Sequence, residues 1–143
     1  MGDGWDMAGS ALGGSHPSAQ GPAVVVIEDD ADIRALIHSV LVRGGLQVHI
    51  ARCGLEGLAL VATVRPALVT LDVGLPDIDG YEVLRRLRAD PRNGDLPVLL
   101  LSARSQEEEL TETCAFLAKP FRARELRATV AGLIAAQPSP PAA

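Results

Sequence analysis

The runs from Ala23 to Ile27, AVVVI, and from Pro97 to Leu101, PVLLL, contain no polar residue. A strand with one face in water alternates apolar and polar residues, so continuous apolar runs of this length suit strands buried on both faces. Ala67 to Leu71, ALVTL, reads as a third buried strand. Between these runs the apolar period changes. Ile33, Leu36, Ile37, Val40 and Leu41 recur at helical spacing and stop at Gly44 and Gly45. Leu55 to Val64 repeats the pattern, with Leu55, Leu58, Ala59 and Ala62 as its inward face, and ends before Pro66. Tyr81 to Ala89 sets Val83, Leu84 and Leu87 at core spacing and is closed by Asp90 and Pro91. Arg122 to Ala136 is a last helix, with Leu126, Val130, Leu133 and Ile134 on one side. Leu46 to Ala51 alternates instead, which fits an edge strand or one with a less buried face. A short helical segment from Gln106 to Thr113 and a small strand from Ala115 to Ala118 complete the set.

Five strands alternating with helices imply a doubly wound α/β domain, because parallel neighbours need crossover connections. The length of 143 residues suits one such domain, expected over residues 23–136. Residues 1–22 are Gly, Ser, Ala and Pro around a lone Trp5 and read as a disordered leader. Residues 137–143 read as a disordered tail or linker. Cys53 and Cys114 lie far apart with no partner at metal-ligand spacing, which suits free thiols in a reducing compartment. Without a membrane-spanning run or a targeting signal at the amino terminus, the expected location is the cytoplasm.

Charge narrows the function. The net charge of -5 argues against nucleic-acid binding, and four aromatic residues are too few for a base-stacking platform. The cluster Arg85, Arg86 and Arg88 shares its helix with Glu82, and Asp90 closes it, as on a solvated face. No G-x-G-x-x-G or G-x-x-x-x-G-K-[ST] occurs, which disfavours the nucleotide-binding versions of this architecture. The D-I-D-G of Asp77 to Gly80 lacks the further acids of a calcium loop and is better read as a turn capping the next helix.

What remains is a set of polar residues at strand ends: Glu28 and Asp29 after the first strand, Asp72 after the third, Ser102 after the fourth and Lys119 after the fifth. With strand order 2-1-3-4-5, strands one and three are neighbours and the crevice between them is where the winding reverses. Three carboxylates sharing that volume repel one another unless a cation lies among them. Oxygen ligands select a hard ion, and Mg²⁺ fits such a set better than Zn²⁺. Beside it, the Asp72 carboxylate is a competent nucleophile toward phosphorus, with Lys119 and the Ser102 hydroxyl to hold the phosphoryl oxygens. The product is an acyl phosphate on Asp72, a new charge around which a loop can reorganise.

The motifs E-D-D at Glu28, L-D-V-G-L-P-D-I-D-G from Leu71, L-S-A-R from Leu101 and K-P-F from Lys119 follow in order, each at a strand end. On these the stretch from Ala23 to Ala136 resembles a bacterial response-regulator receiver domain, whose fold is a flavodoxin-like five-stranded parallel sheet. The order 2-1-3-4-5 is that family's, borrowed rather than read from this chain. The resemblance implies that Asp72 accepts a phosphoryl group from a sensor histidine kinase. It implies that Glu28, Asp29, Asp72 and the backbone carbonyl of Gly74 hold Mg²⁺. It makes Ser102 the switch hydroxyl, Lys119 the phosphate-pairing cation and Phe116 the aromatic switch residue. The family commonly has a cis bond where Lys119 meets Pro120; the residues alone are equally served by a tight turn with a trans bond. Phosphorylation is expected to switch binding to a downstream protein or to a second copy.

One departure bears on output. From Ser102 to Lys119 there are 17 positions, about five fewer than the family usually has, a difference of more than one helical turn. The expected fold therefore carries a shortened fourth helix, on the surface that usually changes on phosphorylation. Two other readings stay open: a degenerate receiver that acts as a phosphorylation-independent scaffold, and a phosphatase or phosphotransferase with an aspartyl nucleophile. The second is weakened by Gly74, which stands where such enzymes usually set a general acid.

Overall fold

The structure, a computed structural model, describes residues 21–103 and 114–136. The expected leader (save its last two residues), the helical segment from Gln106 to Thr113 that would be the shortened fourth helix, and the tail lie outside these residues. The elements run β1 (Ala23–Ile27), α1 (Ala31–Arg43), β2 (Gln47–Ala51), α2 (Gly54–Val64), β3 (Leu68–Asp72), α3 (Gly80–Ala89), a 3-10 turn (Pro91–Asn93), β4 (Val98–Ser102), β5 (Cys114–Ala118) and α4 (Ala123–Ala135). The five strands form one parallel sheet of order β2-β1-β3-β4-β5. As the alternating pattern of residues 46–51 suggested, β2 is an edge strand.

The apolar runs are buried on both faces because their side chains alternate between two cores. Val25, Ile27, Val69, Leu71, Val98 and Leu100 face α2 and α3, where Val61, Val83 and Leu87 meet them. Val24, Val26, Leu68, Leu99 and Leu101 face the other way, against Ile37, Val40 and Leu41 of α1 and Leu126 and Val130 of α4. Cys114 lies in the first of these cores, and burial pushes its thiol pKa up; Cys53 is half-buried, and both cysteines are free.

Helix α2 differs from the sequence expectation. Leu55 is 52 % exposed and Ala59 and Ala62 face solvent, while Gly54, Gly57 and Val61 are buried. The helix is turned so that its glycines meet the sheet. A Cβ at Gly57 would stand 2.3 Å from Cδ1 of Ile27, and one at Gly54 2.7 Å from Cγ1 of Ile78. Close approach rather than apolar side chains sets this face, and glycine carries no hydrophobic period.

Candidate functional site

β1 and β3 lie side by side with Ile27 opposite Leu71, so the residues that follow each strand's apolar part emerge together at one edge of the sheet. Glu28 follows β1 directly and is fully buried; Asp72 is the last residue of β3 and is 5 % exposed. Asp29, beside them, is exposed. Ligand oxygens of Glu28, Asp29 and Asp72 all lie within 4.8 Å of one another. From β5, the Lys119 ammonium reaches across to stand 3.1 Å from Oδ1 of Asp72 and 3.2 Å from Oε1 of Glu28. The backbone N–H of Lys119 donates to the carbonyl of Ser102 at 2.7 Å, which fixes the turn that carries it. The bond from Lys119 to Pro120 is cis.

Ser102, the last residue of β4, and Gly74, two residues after Asp72, line the same cleft of about 720 Å³, together with the acids and Lys119. Phe116 does not line it. Phe116 pairs with Leu100 in the sheet and packs half-buried against the core beneath α2 and α3. Five predicted side chains and Gly74 are thus brought together, and the predicted aromatic lies apart from them.

Burial is the largest influence on Glu28 and the charge of Asp72 the next; they push its carboxyl up to about 7, against the pull of Lys119. The carboxyl of Asp29 is raised too, by loss of water and by its hydrogen bond to Asp72. For Lys119, burial opposes the charge, but the hydrogen bond to Asp72 and the field of Glu28 outweigh it and hold the ammonium above the ordinary lysine value. Among the described residues, one ammonium stands among three acids, which leaves them short of positive charge. Among the described residues, the buried Oε1 of Glu28 accepts no hydrogen bond and has only the ion-pair contact with Lys119 at 3.2 Å. An all-oxygen set of three acids this close together suits a hard divalent cation such as Mg²⁺.

Further residues hold the acidic turns in place, some with a local signal in the sequence and some without. Arg34 donates through Nη1 to the carbonyls of Glu28 at 3.0 Å and Asp29 at 3.2 Å, holding the first acidic turn. Asp30, third of the acids after β1, caps α1 through Asp32 and Ile33 while its own N–H donates to Oε2 of Glu28. An acid placed just before a helical period is the cue for that cap. Asp79 caps α3, as the turn reading of D-I-D-G expected, but Asp77 reaches away to accept hydrogen bonds from Gly54 and Leu55 at the start of α2. Arg85 and Arg86 lie on a solvated face and both pair with Glu82, but Arg88, expected to share that face, is half-buried and donates to the carbonyl of Asn93 at 2.8 Å.

The sequence model of the response regulator receiver domain matches residues 24–131. The chain belongs to the response regulator receiver family. This receiver is 36% identical over 118 residues to the DNA-binding dual master transcriptional regulator RpaA of Synechocystis sp., covering 79% of this chain and 49% of that protein. It is 39% identical over 118 residues to the transcriptional regulatory protein AfsQ1 of Streptomyces coelicolor, covering 79% and 51%. The receiver therefore spans about half the length of the curated relatives it matches. Among solved structures it resembles chemotaxis response regulator CheY4 of Vibrio cholerae, with TM-score 0.73 and 25% identity over 78% of this chain and 98% of that one. It also resembles the receiver domain of sensor histidine kinase PA1611 from Pseudomonas aeruginosa, solved with a magnesium ion in its active-site cleft, with TM-score 0.73 and 25% identity over 81% and 99%.

Proposed function

We propose that this receiver accepts a phosphoryl group on Asp72 from a sensor histidine kinase, in a Mg²⁺-dependent step of a two-component pathway. The observation that carries the reading is the convergence of three acids within 4.8 Å on a lysine that stands 3.1 Å from the acceptor. A carboxylate oxygen of Asp72 attacks phosphorus, the new P–O bond forms as the P–N bond to the donor imidazole breaks, and the imidazole leaves with the electron pair. Glu28, Asp29, Asp72 and the carbonyl of Gly74 are the residues that would hold Mg²⁺, which when bound neutralises charge on the phosphoryl oxygens. Lys119 exchanges its contact with Asp72 for a phosphoryl oxygen, and the Ser102 hydroxyl donates to another. With Gly74 two residues beyond Asp72, the site offers no second acid there for turnover on an external ester, so the protein acts as an acceptor and not as an enzyme on a separate substrate.

The resulting charge is read out by a protein partner or by self-association, with Ser102 and Phe116 as the switch pair and the cytoplasm as the place of action. DNA binding is a property of the relative RpaA, and we assign none to this receiver itself.

The test is to incubate the wild type and Asp72→Asn with Mg²⁺ and a small-molecule phosphodonor and to measure intact mass. The expected result is a base-labile, acid-stable gain of one phosphate on the wild type alone. Equal labelling of both proteins, or of neither, contradicts the reading.

A further inference from the structure

The start of α2 is capped from a distance. Its N-cap residue, Cys53, makes no side-chain capping bond. The N–H groups of Gly54 and Leu55 donate instead to the two carboxylate oxygens of Asp77, both at 2.8 Å and from 23 and 22 residues away in sequence. Asp77 lies in the loop between Asp72 and α3. Ile78, its neighbour, packs over Gly54 so closely that a Cβ there would meet it at 2.7 Å. The loop is also pinned at its far end, where Gly80 donates to the carbonyl of Val73 at 2.8 Å. A side chain at Gly80 would run into the carbonyl oxygen of Asp72 at 2.5 Å.

The other acidic turn is tied to the same helix start. The N–H of Glu28 donates to the carbonyl of Ala51 at 3.0 Å, two residues before Cys53, and Gly57 brings α2 down onto Ile27. A closed ring therefore runs from Glu28 through Ala51 to Gly54, across to Asp77, and back along the loop to Asp72. The two carriers of the acidic cluster meet through the first turn of α2.

Resting on the receiver reading above, we propose that Asp77 is a positioning residue: by capping α2 it fixes the Gly74 loop relative to the Glu28 turn and so sets how the acids and the Gly74 carbonyl face a divalent cation. Asp77 touches neither the cation nor the phosphoryl group. Burial acts to raise its carboxyl pKa, but the N–H donors of Leu55 and Gly54 outweigh it and keep the group ionised well below the usual carboxylate range.

Two effects of removing Asp77 must be separated, loss of a helix cap and loss of a tether. A serine at position 53 supplies a neutral local cap to α2 without restoring any link to the loop. The experiment is calorimetric titration of Mg²⁺ alone into the full chain, paired with thermal melting, for wild type, Asp77→Ala, Asp77→Asn and the double variant Cys53→Ser/Asp77→Ala. Asp77→Ala is expected to melt lower and to bind Mg²⁺ about tenfold more weakly, the low end of what outer partners of metal ligands contribute. The double variant should recover most of the melting temperature while its Mg²⁺ affinity stays weak. Asp77→Asn keeps one acceptor oxygen without the charge and should fall between wild type and Asp77→Ala in affinity.

Recovery of both properties in the double variant would show a purely structural cap and overturn the proposal. Equal weakening in Asp77→Asn and Asp77→Ala would reveal a field effect of the charge and overturn it too. Should Asp77→Ala fail to fold, the locally capped double variant carries the comparison. A wild type that binds no Mg²⁺ removes the Mg²⁺-dependent phospho-acceptor reading, and this inference with it.

Discussion

Val26 and Glu28 sit two residues apart at the end of β1, and both are fully buried. Around Val26 lie the apolar side chains of α1, β3 and α4, and each atom gains contacts by being there. Around Glu28, among the described residues, lie a second buried acid and the Lys119 ammonium 3.2 Å from Oε1, which accepts no hydrogen bond. The same strand supplies stability in its middle and gives some up at its end. Burial in a parallel sheet is what makes both possible: it drives the apolar residues together and strips water from the acids that follow them.

The largest effect belongs to the strand middles. Leu100, fully buried between Leu71 and Phe116, should cost about 2 to 5 kcal/mol when cut to alanine, measured by denaturant unfolding. A loss below 1 kcal/mol would mean that this layer can collapse around the hole. At the strand end the sign reverses. Glu28→Gln removes a charge whose carboxyl is pushed up to about 7 from 4.5, and by linkage it should stabilise the metal-free protein at pH 8 by an amount on the order of 3 kcal/mol. Destabilisation by this variant would break the contrast. Smaller again is the seam between the two regions. Gly57→Ala places a Cβ 2.6 Å from Cγ1 of Ile27, and overpacking there should cost about 1 to 3 kcal/mol. An unchanged unfolding midpoint would show that α2 can lift off β1 freely.

Much of this contrast was legible in the residues. The continuous apolar runs, short and free of polar residues, suited strands buried on both faces, and the acids placed just after them marked the sheet edge where they converge. The five side chains that converge could be picked out because each stands at a strand end, while the strand order that brings those ends together came from the family resemblance, and Phe116, picked out with them, lies apart. Two things were not legible. The glycine face of α2 is set by how closely the helix approaches Ile27, and a residue without a side chain leaves no period to read. The cap that Asp77 gives to α2 joins residues more than twenty apart, and D-I-D-G offers two acids with no local sign of which one caps its own helix.

Linkage makes the strand end testable without any partner. Between pH 4.5 and about 7 the folded chain keeps a proton on Glu28 that the unfolded chain has released, so stability should fall as pH rises through that window. Asp29, raised in the same sense, adds to the fall. Lys119, raised above its ordinary value, holds its contribution throughout this range and loses it only in strong alkali. The most direct measurement is urea unfolding of the wild type and Glu28→Gln at pH 5 and pH 8, with and without Mg²⁺. The prediction is that Mg²⁺ stabilises the wild type at pH 8, by about 1.4 kcal/mol at ten times its Kd, with a much smaller effect at pH 5 and in Glu28→Gln. Stability of the wild type that ignores both pH and Mg²⁺ would contradict a cluster of acids assembled around a cation.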